Sequence, residues 1–372
     1  QASSRLECGS ERYMRSLEQR ARARLGDLLR GYELEAVEDM DVLSARFTGR
    51  ASDSSASICI LHERWASLPG FAASFARAAW LTQTFDHSVV PRVLDSGLCD
   101  DRSPFVVFEW IGGETLAAYM RRRGDTVPPA EALRIAGLLA DGLTALAQQG
   151  AVHGAIQPQS IALTETGAVR LLHLGWTRVR EQAAAHLGHS SLPRLSGYLS
   201  PTQARGDAPT HQDDLWSISV LLYELLTGTP LRAGETEEER LTEARHWEAA
   251  SLRTACPSAP DVLVDLLECA LHPVATERFQ SATEFGARCR SIAATPEIAR
   301  MRRLNNQVRP VASPARAVST RPSAVPRGHS GVSAVNLPDQ ATGTLGSRRE
   351  KPAAGRYSNA ELRIDTLHPT KG

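Results

Sequence analysis

The spacing of apolar residues changes once along this chain, from short strand-like runs to helical spacing, and that change limits the folds that the sequence can adopt. Between residues 32 and 110 the apolar residues occur in short runs bounded by turn residues, as in 57–61 and 105–109, which is typical of strands. From about residue 129 onward the apolar residues recur at helical spacing. This order predicts an α+β fold, in which a small β-rich lobe is followed by a larger helical lobe.

Composition changes near residue 295. Residues 294–372 are rich in Pro, Ser, Ala, Arg and Gly and poor in aromatics, so they cannot bury enough apolar area to fold, and we predict a disordered tail. Residues 301–372 carry twelve basic and four acidic side chains, a net charge of +8, so the preceding residues carry −8. The basic charge either keeps the tail solvated or docks it on an acidic surface, such as this domain, nucleic acid or anionic lipid.

The overall charge and the cysteines exclude several classes of protein. The 372 residues contain 42 basic and 42 acidic groups, which argues against a broadly basic nucleic-acid binder, and we expect no nucleic-acid partner. No apolar run approaches the roughly 18 residues that a membrane span needs. The six cysteines are dispersed, without a CxxC pair, which argues against a zinc site or a disulfide framework and favours a reducing, cytoplasmic setting.

Lysine is absent from residues 1–350, since the chain has only Lys351 and Lys371. Arginine is abundant in the same region, but it does not replace lysine where a compact or deprotonated amine is required. Neither a P-loop lysine nor a Schiff-base lysine is therefore available in the predicted domain.

Five segments resemble motifs of protein kinases, and the likeness is greatest to bacterial serine/threonine kinases. Residues 152–163, VHGAIQPQSIAL, resemble the catalytic loop, and residues 170–176, RLLHLGW, resemble the metal-binding turn. Residues 198–228 resemble the end of the activation segment and the helix after it, residues 104–120 the hinge, and residues 277–285 the last motif of the large lobe. The resemblance implies the bilobal fold of a protein kinase.

The resemblance also implies the domain boundaries. It covers residues 32–293, with an N-lobe at about 32–110 and a C-lobe at about 111–293. Residues 1–31 precede it and are predicted to form a helical extension, and the basic tail follows it.

The small lobe departs from the kinase pattern at the residues that hold ATP. By alignment, Cys59 stands at the position of the lysine that contacts the phosphates, and Ala78 at that of its glutamate partner. The glycine-rich loop reads VEDMDVLSAR, with Glu38, Asp39 and Asp41 in a segment that should be rich in glycine. We interpret these three carboxylates as a solvated turn rather than as a barrier to anions.

The large lobe departs from the pattern at the residues that carry the chemistry. Ala155 replaces the base carboxylate of H-R-D-x-x-x-x-N, and Ser160 replaces the metal-binding Asn. His173 replaces the aspartate of D-F-G. His153 and His173 would supply two metal ligands without a third, so we predict no metal site and weak or absent binding of ATP and Mg²⁺.

Residues with structural roles in the family are kept. They are His153, Gly175, Pro201, Asp214 and Arg278. The resemblance implies that the Asp214 carboxylate caps backbone amides of the catalytic loop. It also implies that Arg278 lacks its usual glutamate partner, because Thr202 stands there, and must find a carbonyl, a carboxylate or water. A vestigial adenine pocket would lie at the hinge, at Phe108, Glu109, Trp110 and Ile111.

These departures favour a catalytically inactive kinase-like domain, a pseudokinase, that acts as a scaffold or regulatory binding module in bacterial serine/threonine kinase-type signalling. The expected partners are proteins, such as an active kinase or a phospho-reading domain. The alternatives are a degenerate domain that still binds a nucleotide or small ligand without metal, and an enzyme for atypical phosphoryl or nucleotidyl transfer.

Overall fold

The structure, a computed structural model, describes residues 2–52, 54–124, 126–187, 195–248, 252–255, 257 and 259–298. The predicted disordered tail, 294–372, lies outside the described residues from residue 299 onward. Its predicted start at 294 is corrected, because residues 294–298 are ordered and Ile298 is buried in the core. The α+β fold is confirmed, with a β-rich lobe before a larger helical lobe.

Six antiparallel strands form the N-lobe sheet, in the order β1-β2-β3-β4-β6-β5. They are β1 (Leu28–Leu29), β2 (Tyr32–Met40), β3 (Ser44–Ala51), β4 (Ser54–Leu61), β5 (Val93–Leu98) and β6 (Pro104–Glu109). Helices α2 (Glu63–Ala66) and α3 (Phe71–Thr84) connect β4 to β5. Strand β4 is buried on both faces because Cys59 and Leu61 point into one apolar cluster and Ile58 and Ile60 into another.

The N-terminal extension is only partly helical, so the prediction of a helical segment over residues 1–31 is corrected. Helix α1 (Ala2–Ala23) buries Leu17 and Ala21, and residues 28 and 29 then form strand β1. Gly26 and Gly31 have φ angles of 91° and 86°, which a helix cannot contain and which glycine adopts without strain. They end the helix and turn the chain into the sheet.

The C-lobe consists of helices around a small antiparallel sheet, β7-β8-β9. Its elements are β7 (Glu114–Thr115), α4 (Leu116–Arg123), α5 (Pro129–Gln148), β8 (Ile161–Leu163), β9 (Val169–Leu171), α6 (Thr177–Leu187), α7 (Pro201–Ala204), α8 (His211–Thr227), α9 (Glu237–Arg245), α10 (Leu252–Ala255), α11 (Asp261–Ala270) and α12 (Ala282–Ala293). Helix α8 lies at the centre, with nearly every side chain buried. It ends at Gly228, whose φ of 71° is the left-handed conformation of a helix C-terminus.

The two lobes share an apolar cluster that fixes the position of the candidate site. Trp176, Val179 and Ala183, at the start of and within α6, pack with Phe71 and Phe75 of α3. None of the helices in the described part of the chain combines the length and apolarity needed to cross a bilayer.

Candidate functional site

The segment that resembles the catalytic loop lies between α5 and β8 and is held from below by α8. The Asp214 carboxylate accepts hydrogen bonds from the backbone N–H groups of His153 and Gly154, both at 2.7 Å. Asp214 thus makes the contacts that the resemblance implies. Burial raises the pKa of its carboxyl to about 7, although the two N–H donors favour the charged form.

His153 ties this loop to the strand before the metal-binding turn. Its Nε2–H donates to the carbonyl oxygen of Leu172 at 2.8 Å, which leaves Nδ1 to accept from the N–H of Ala155 at 3.3 Å. Burial lowers the pKa of His153 to about 4, so the ring is neutral near pH 7. His153 therefore positions the loop and carries no charge to the site.

Ala155 and Ser160 occupy the positions of the base and of a metal ligand. The Ala155 methyl group is buried and can accept no proton. The Ser160 hydroxyl accepts from the N–H of Gln157 and donates to the carbonyl of Gln157, both at 2.9 Å. Ser160 thus closes its own turn.

His173, at the position of the metal-binding aspartate, lies against the indole of Trp176, with ring centroids 4.8 Å apart. Its backbone has a φ of 66°, which is costly for a residue with a side chain. Its Nδ1 is buried and has no hydrogen-bond partner among the described residues. Burial and the nearby guanidinium groups of Arg180 and Arg46 hold the pKa of His173 well below its usual value. Within the described residues, no three His, Cys, Asp or Glu side chains are grouped as a metal site.

Cys59 and Ala78 stand where kinases place their lysine–glutamate pair, and both lie in the apolar cluster shared by the lobes. Cys59 faces Arg46 of β3 on one side and Val106 of β6 on the other. Burial raises the pKa of its thiol to about 12, so the thiol is inert. Gly175 approaches α3 so closely that a Cβ there would lie 3.1 Å from the Cα of Ala78.

The carboxylates of Glu38 and Asp39, at the end of β2, and of Asp41, in the turn to β3, are not merely solvated, which corrects their interpretation as a solvated turn. Arg46 donates to Glu38 at 2.9 Å and lies 3.8 Å from Asp39, and its side chain is only 12% exposed. Counting from Arg46 as the valine of G-x-G-x-x-G-x-V places Asp39, Asp41 and Ser44 at the three glycine positions. The carboxylates are ordered by arginine instead of facing water alone.

Arg180 of α6 is a second arginine that the sequence patterns did not single out. Its Nη2 lies 3.3 Å from Oδ2 of Asp41, and its side chain is 7% exposed. Arg180, Arg46 and His173 line one cavity of about 910 Å³, together with Asp39 and Asp41. No motif marks Arg180, because it follows the segment 170–176 that resembles the metal-binding turn. The only sequence signal that could have indicated Arg180 is its place beside the apolar residues 176, 179 and 183, which recur at helical spacing.

The end of the activation segment shows how Arg278 manages without its glutamate. Arg278 donates to the carbonyl oxygens of His272 at 2.6 Å and Pro273 at 3.0 Å, and its guanidinium lies 4.4 Å from the ring centroid of Trp216. Thr202, after Pro201 at the start of α7, instead donates to Asp213 at 2.6 Å. A carbonyl, a carboxylate or water was expected as the partner of Arg278, and the structure shows two carbonyl oxygens.

The four hinge residues lie at the end of β6 and directly after it. The backbone N–H of Glu109 donates to the carbonyl of Arg92 at 2.9 Å, and Phe108 packs against the shared cluster. Trp110 is 47% exposed and does not fill the cleft. None of the four, Ile111 included, is among the described residues that line the 910 Å³ cavity.

Residues 42–283 match the family model of protein tyrosine and serine/threonine kinases. The chain belongs to the protein kinase family. This kinase-family chain is 28% identical over 270 residues to the probable serine/threonine-protein kinase PknB of Corynebacterium glutamicum, covering 69% of this chain and 41% of that protein. It is 28% identical over 242 residues to the serine/threonine-protein kinase PknL of Mycobacterium tuberculosis, covering 65% and 60%.

Among solved structures, the crystal structure of the Mycobacterium tuberculosis PknI kinase domain matches with a TM-score of 0.55 at 18% identity, covering 72% of this chain and 98% of that one. This likeness confirms the bilobal kinase fold. The chain spans 29%, 41% and 60% of three curated relatives, the first being the serine/threonine-protein kinase PknB of Mycobacterium leprae. The chain therefore spans less than two thirds of each of these relatives.

Proposed function

We propose that this kinase-family domain transfers no phosphate and acts by binding other proteins in bacterial serine/threonine kinase-type signalling. One observation carries the proposal. At five positions where phosphoryl transfer needs a charged or metal-binding side chain, this chain has a residue that cannot hold phosphate, bind Mg²⁺ or accept the proton. These are Cys59, Ala78, Ala155, Ser160 and His173.

The chemistry of the reaction explains why these positions matter. Phosphoryl transfer depends almost wholly on positioning and on charges that hold phosphate, metal and proton. Residues 153–160 and 170–176 contain no acidic side chain that could take over from a neighbouring position. Loss of a single such group typically slows a reaction by about 10²–10³. Such losses are not additive, so we do not multiply them.

The same residues lead us to propose that ATP and Mg²⁺ bind weakly or not at all. Asp39 and Asp41 border the region where the family holds phosphates, and they are paired with Arg46 and Arg180. Those two arginines are therefore already neutralised, and a triphosphate would have to displace carboxylates to use them. We further propose a cytoplasmic location, in keeping with Cys59, Cys99, Cys269 and Cys289, which are free thiols.

The test uses the full chain. Thermal shift and calorimetry with millimolar ATP or ADP, each with and without Mg²⁺ or Mn²⁺, measure binding, and radiolabelled ATP with a generic basic acceptor protein measures transfer. We expect neither a metal-dependent rise in Tm nor labelling of the chain or the acceptor. An active bacterial serine/threonine kinase under the same conditions is the positive control. Metal-dependent transfer would overturn the proposal, and stabilisation by nucleotide without metal would favour the ligand-binding alternative.

A protein partner follows from this proposal. The resemblance implies an active kinase or a phospho-reading domain as the partner. The test is co-purification of the full chain with purified candidates of these two classes, and we expect a stoichiometric complex with one of them. Absence of a complex with either class, at protein concentrations of tens of micromolar, would count against this partner assignment.

A further inference from the structure

Helix α6 carries a buried cation that reaches from the C-lobe to the N-lobe. The Arg180 side chain is 7% exposed, and its Nη2 lies 3.3 Å from Oδ2 of Asp41, which is 27% exposed. Asp41 belongs to the turn between β2 and β3 and lines the 910 Å³ cavity. A buried guanidinium without a counter-charge is costly, so the pairing binds the turn to the helix.

The apolar face of α6 is fixed to α3. Trp176, Val179 and Ala183 recur at helical spacing, and all three are buried in the shared cluster. The Trp176 indole meets the Phe75 ring edge to face, with centroids 5.3 Å apart. Arg180 follows Val179 directly, so the packing of this face determines where its guanidinium lies.

The acceptor is held in place as firmly as the donor. Oδ1 of Asp41 accepts from the backbone N–H groups of Leu43 at 2.8 Å and Ser44 at 2.9 Å, which leaves Oδ2 for Arg180. The indole N–H of Trp65 donates to the carbonyl of Val42 at 2.6 Å and holds the same turn against α2. Both partners are therefore preorganised, and little side-chain entropy is lost when they pair.

We propose that the Asp41–Arg180 ion pair is a latch that ties the β2–β3 turn of the N-lobe to α6 of the C-lobe without a nucleotide. In an active kinase, ATP and metal bridge the lobes through their own charges. Here the charges that cross the cleft belong to the chain itself. The proposal rests on the proposed function in one respect only, that this contact between the lobes does not need ATP.

Hydrogen exchange measured by mass spectrometry on the full chain tests the latch. Asp41→Asn keeps an oxygen for the N–H groups of Leu43 and Ser44 but removes the charge, and Arg180→Met keeps most of the buried stem. We expect each variant to speed exchange about tenfold in two regions together, residues 39–46 and residues 177–187. Arg46→Met is the matched control, because Arg46 pairs within its own hairpin, and we expect it to affect residues 39–46 alone.

Two outcomes would overturn the latch: faster exchange confined to the mutated element, or no change in either variant. Should Arg180→Met fail to fold, as judged by circular dichroism, Asp41→Asn decides alone. Where all variants fold, urea unfolding of the wild type, the two single variants and the double variant completes a double-mutant cycle, which measures the interaction energy between Asp41 and Arg180. Additive effects would also refute direct pairing. None of these readouts involves phosphate transfer, so an active enzyme with the expected exchange pattern would overturn the proposed function and keep the latch.

Discussion

At the scale of single residues, burial determines the charge state of the histidine beneath the catalytic-loop segment. His153 is neutral in the folded chain because its ring is enclosed, and Leu172 accepts its only ring N–H. Its pKa is lowered from 6.5 to about 4. A histidine that stays neutral in the folded state and takes up a proton in the unfolded state makes stability depend on pH.

The first prediction concerns this dependence. Above pH 6.5 the stabilisation from neutral His153 is fully present, and it is lost as pH falls toward 4, because the unfolded chain binds the proton first. Each unit between the two pKa values corresponds to about 1.4 kcal/mol. In urea unfolding from pH 6.5 to 4, we expect the wild type to lose more stability than His153→Gln, which keeps an N–H for Leu172. Parallel curves would contradict the assignment.

The second prediction concerns Gly154, which stands where the family has arginine. Its φ is 72°, and a Cβ there would lie 2.8 Å from Oγ1 of Thr177 and 3.0 Å from Pro209. Gly150 has a φ of 67° but nothing within 4 Å, so Gly150→Ala is the matched control. We expect urea unfolding to show a loss of about 1–2 kcal/mol for Gly150→Ala from backbone strain. Gly154→Ala should lose a further 1–3 kcal/mol or so from crowding. Equal losses would show that the loop relaxes freely.

Sequence reasoning found the residues that belong to motifs and missed those that pair across the fold. The contact of Asp214 with the catalytic-loop amides follows from the family pattern alone. Arg180 and Asp41 are 139 residues apart, and although Asp41 lies in the glycine-rich-loop segment, Arg180 belongs to no motif. Their pairing depends on how α6 rotates as it packs on α3, which the local sequence does not reveal.

At the scale of elements, helical periodicity predicted the long helices well because their apolar faces pack on one core. Helix α5 (Pro129–Gln148) begins where the helical spacing of apolar residues begins in the sequence, at about residue 129. Strand β1 was missed because two residues, Leu28 and Leu29, are too few to show an alternating pattern. Only the glycines on either side of it indicated that the helix would end.

The third prediction concerns the junction of α7 and α8. Thr202 donates to a carboxylate oxygen of Asp213 at 2.6 Å, while Arg278 is occupied by two carbonyls and Trp216. The family has glutamate where this chain has Thr202, and introducing glutamate there would put a second carboxylate beside Asp213. We expect Thr202→Glu to be about 1–3 kcal/mol less stable in urea than Thr202→Gln, which has the same size and can donate. Greater stability of Thr202→Glu would mean that Arg278 turns back toward its usual partner.

At the scale of the whole molecule, the departures from the kinase pattern support one another. The lysine and glutamate positions are part of an apolar cluster that also holds α6, and α6 carries the arginine that reaches Asp41. This arrangement supports the proposal that the domain does not bind a triphosphate. We expect that returning single residues to the family type does not recover the reaction, because Cys59 and Ala78 are packed in the apolar cluster and Asp41 is paired with Arg180.

The fourth prediction tests this with Ala155→Asp, Ser160→Asn and His173→Asp combined in the full chain. Oxygen ligands suit Mg²⁺ and Mn²⁺, so we expect the triple variant to gain a Mn²⁺-dependent rise in Tm that the wild type lacks. We expect no transfer from radiolabelled ATP, because Cys59 and Ala78 still leave the phosphates without a positioned cation. Transfer above the wild-type background would show that the three large-lobe changes alone silence this domain, and that the small lobe can still hold ATP in a reactive position.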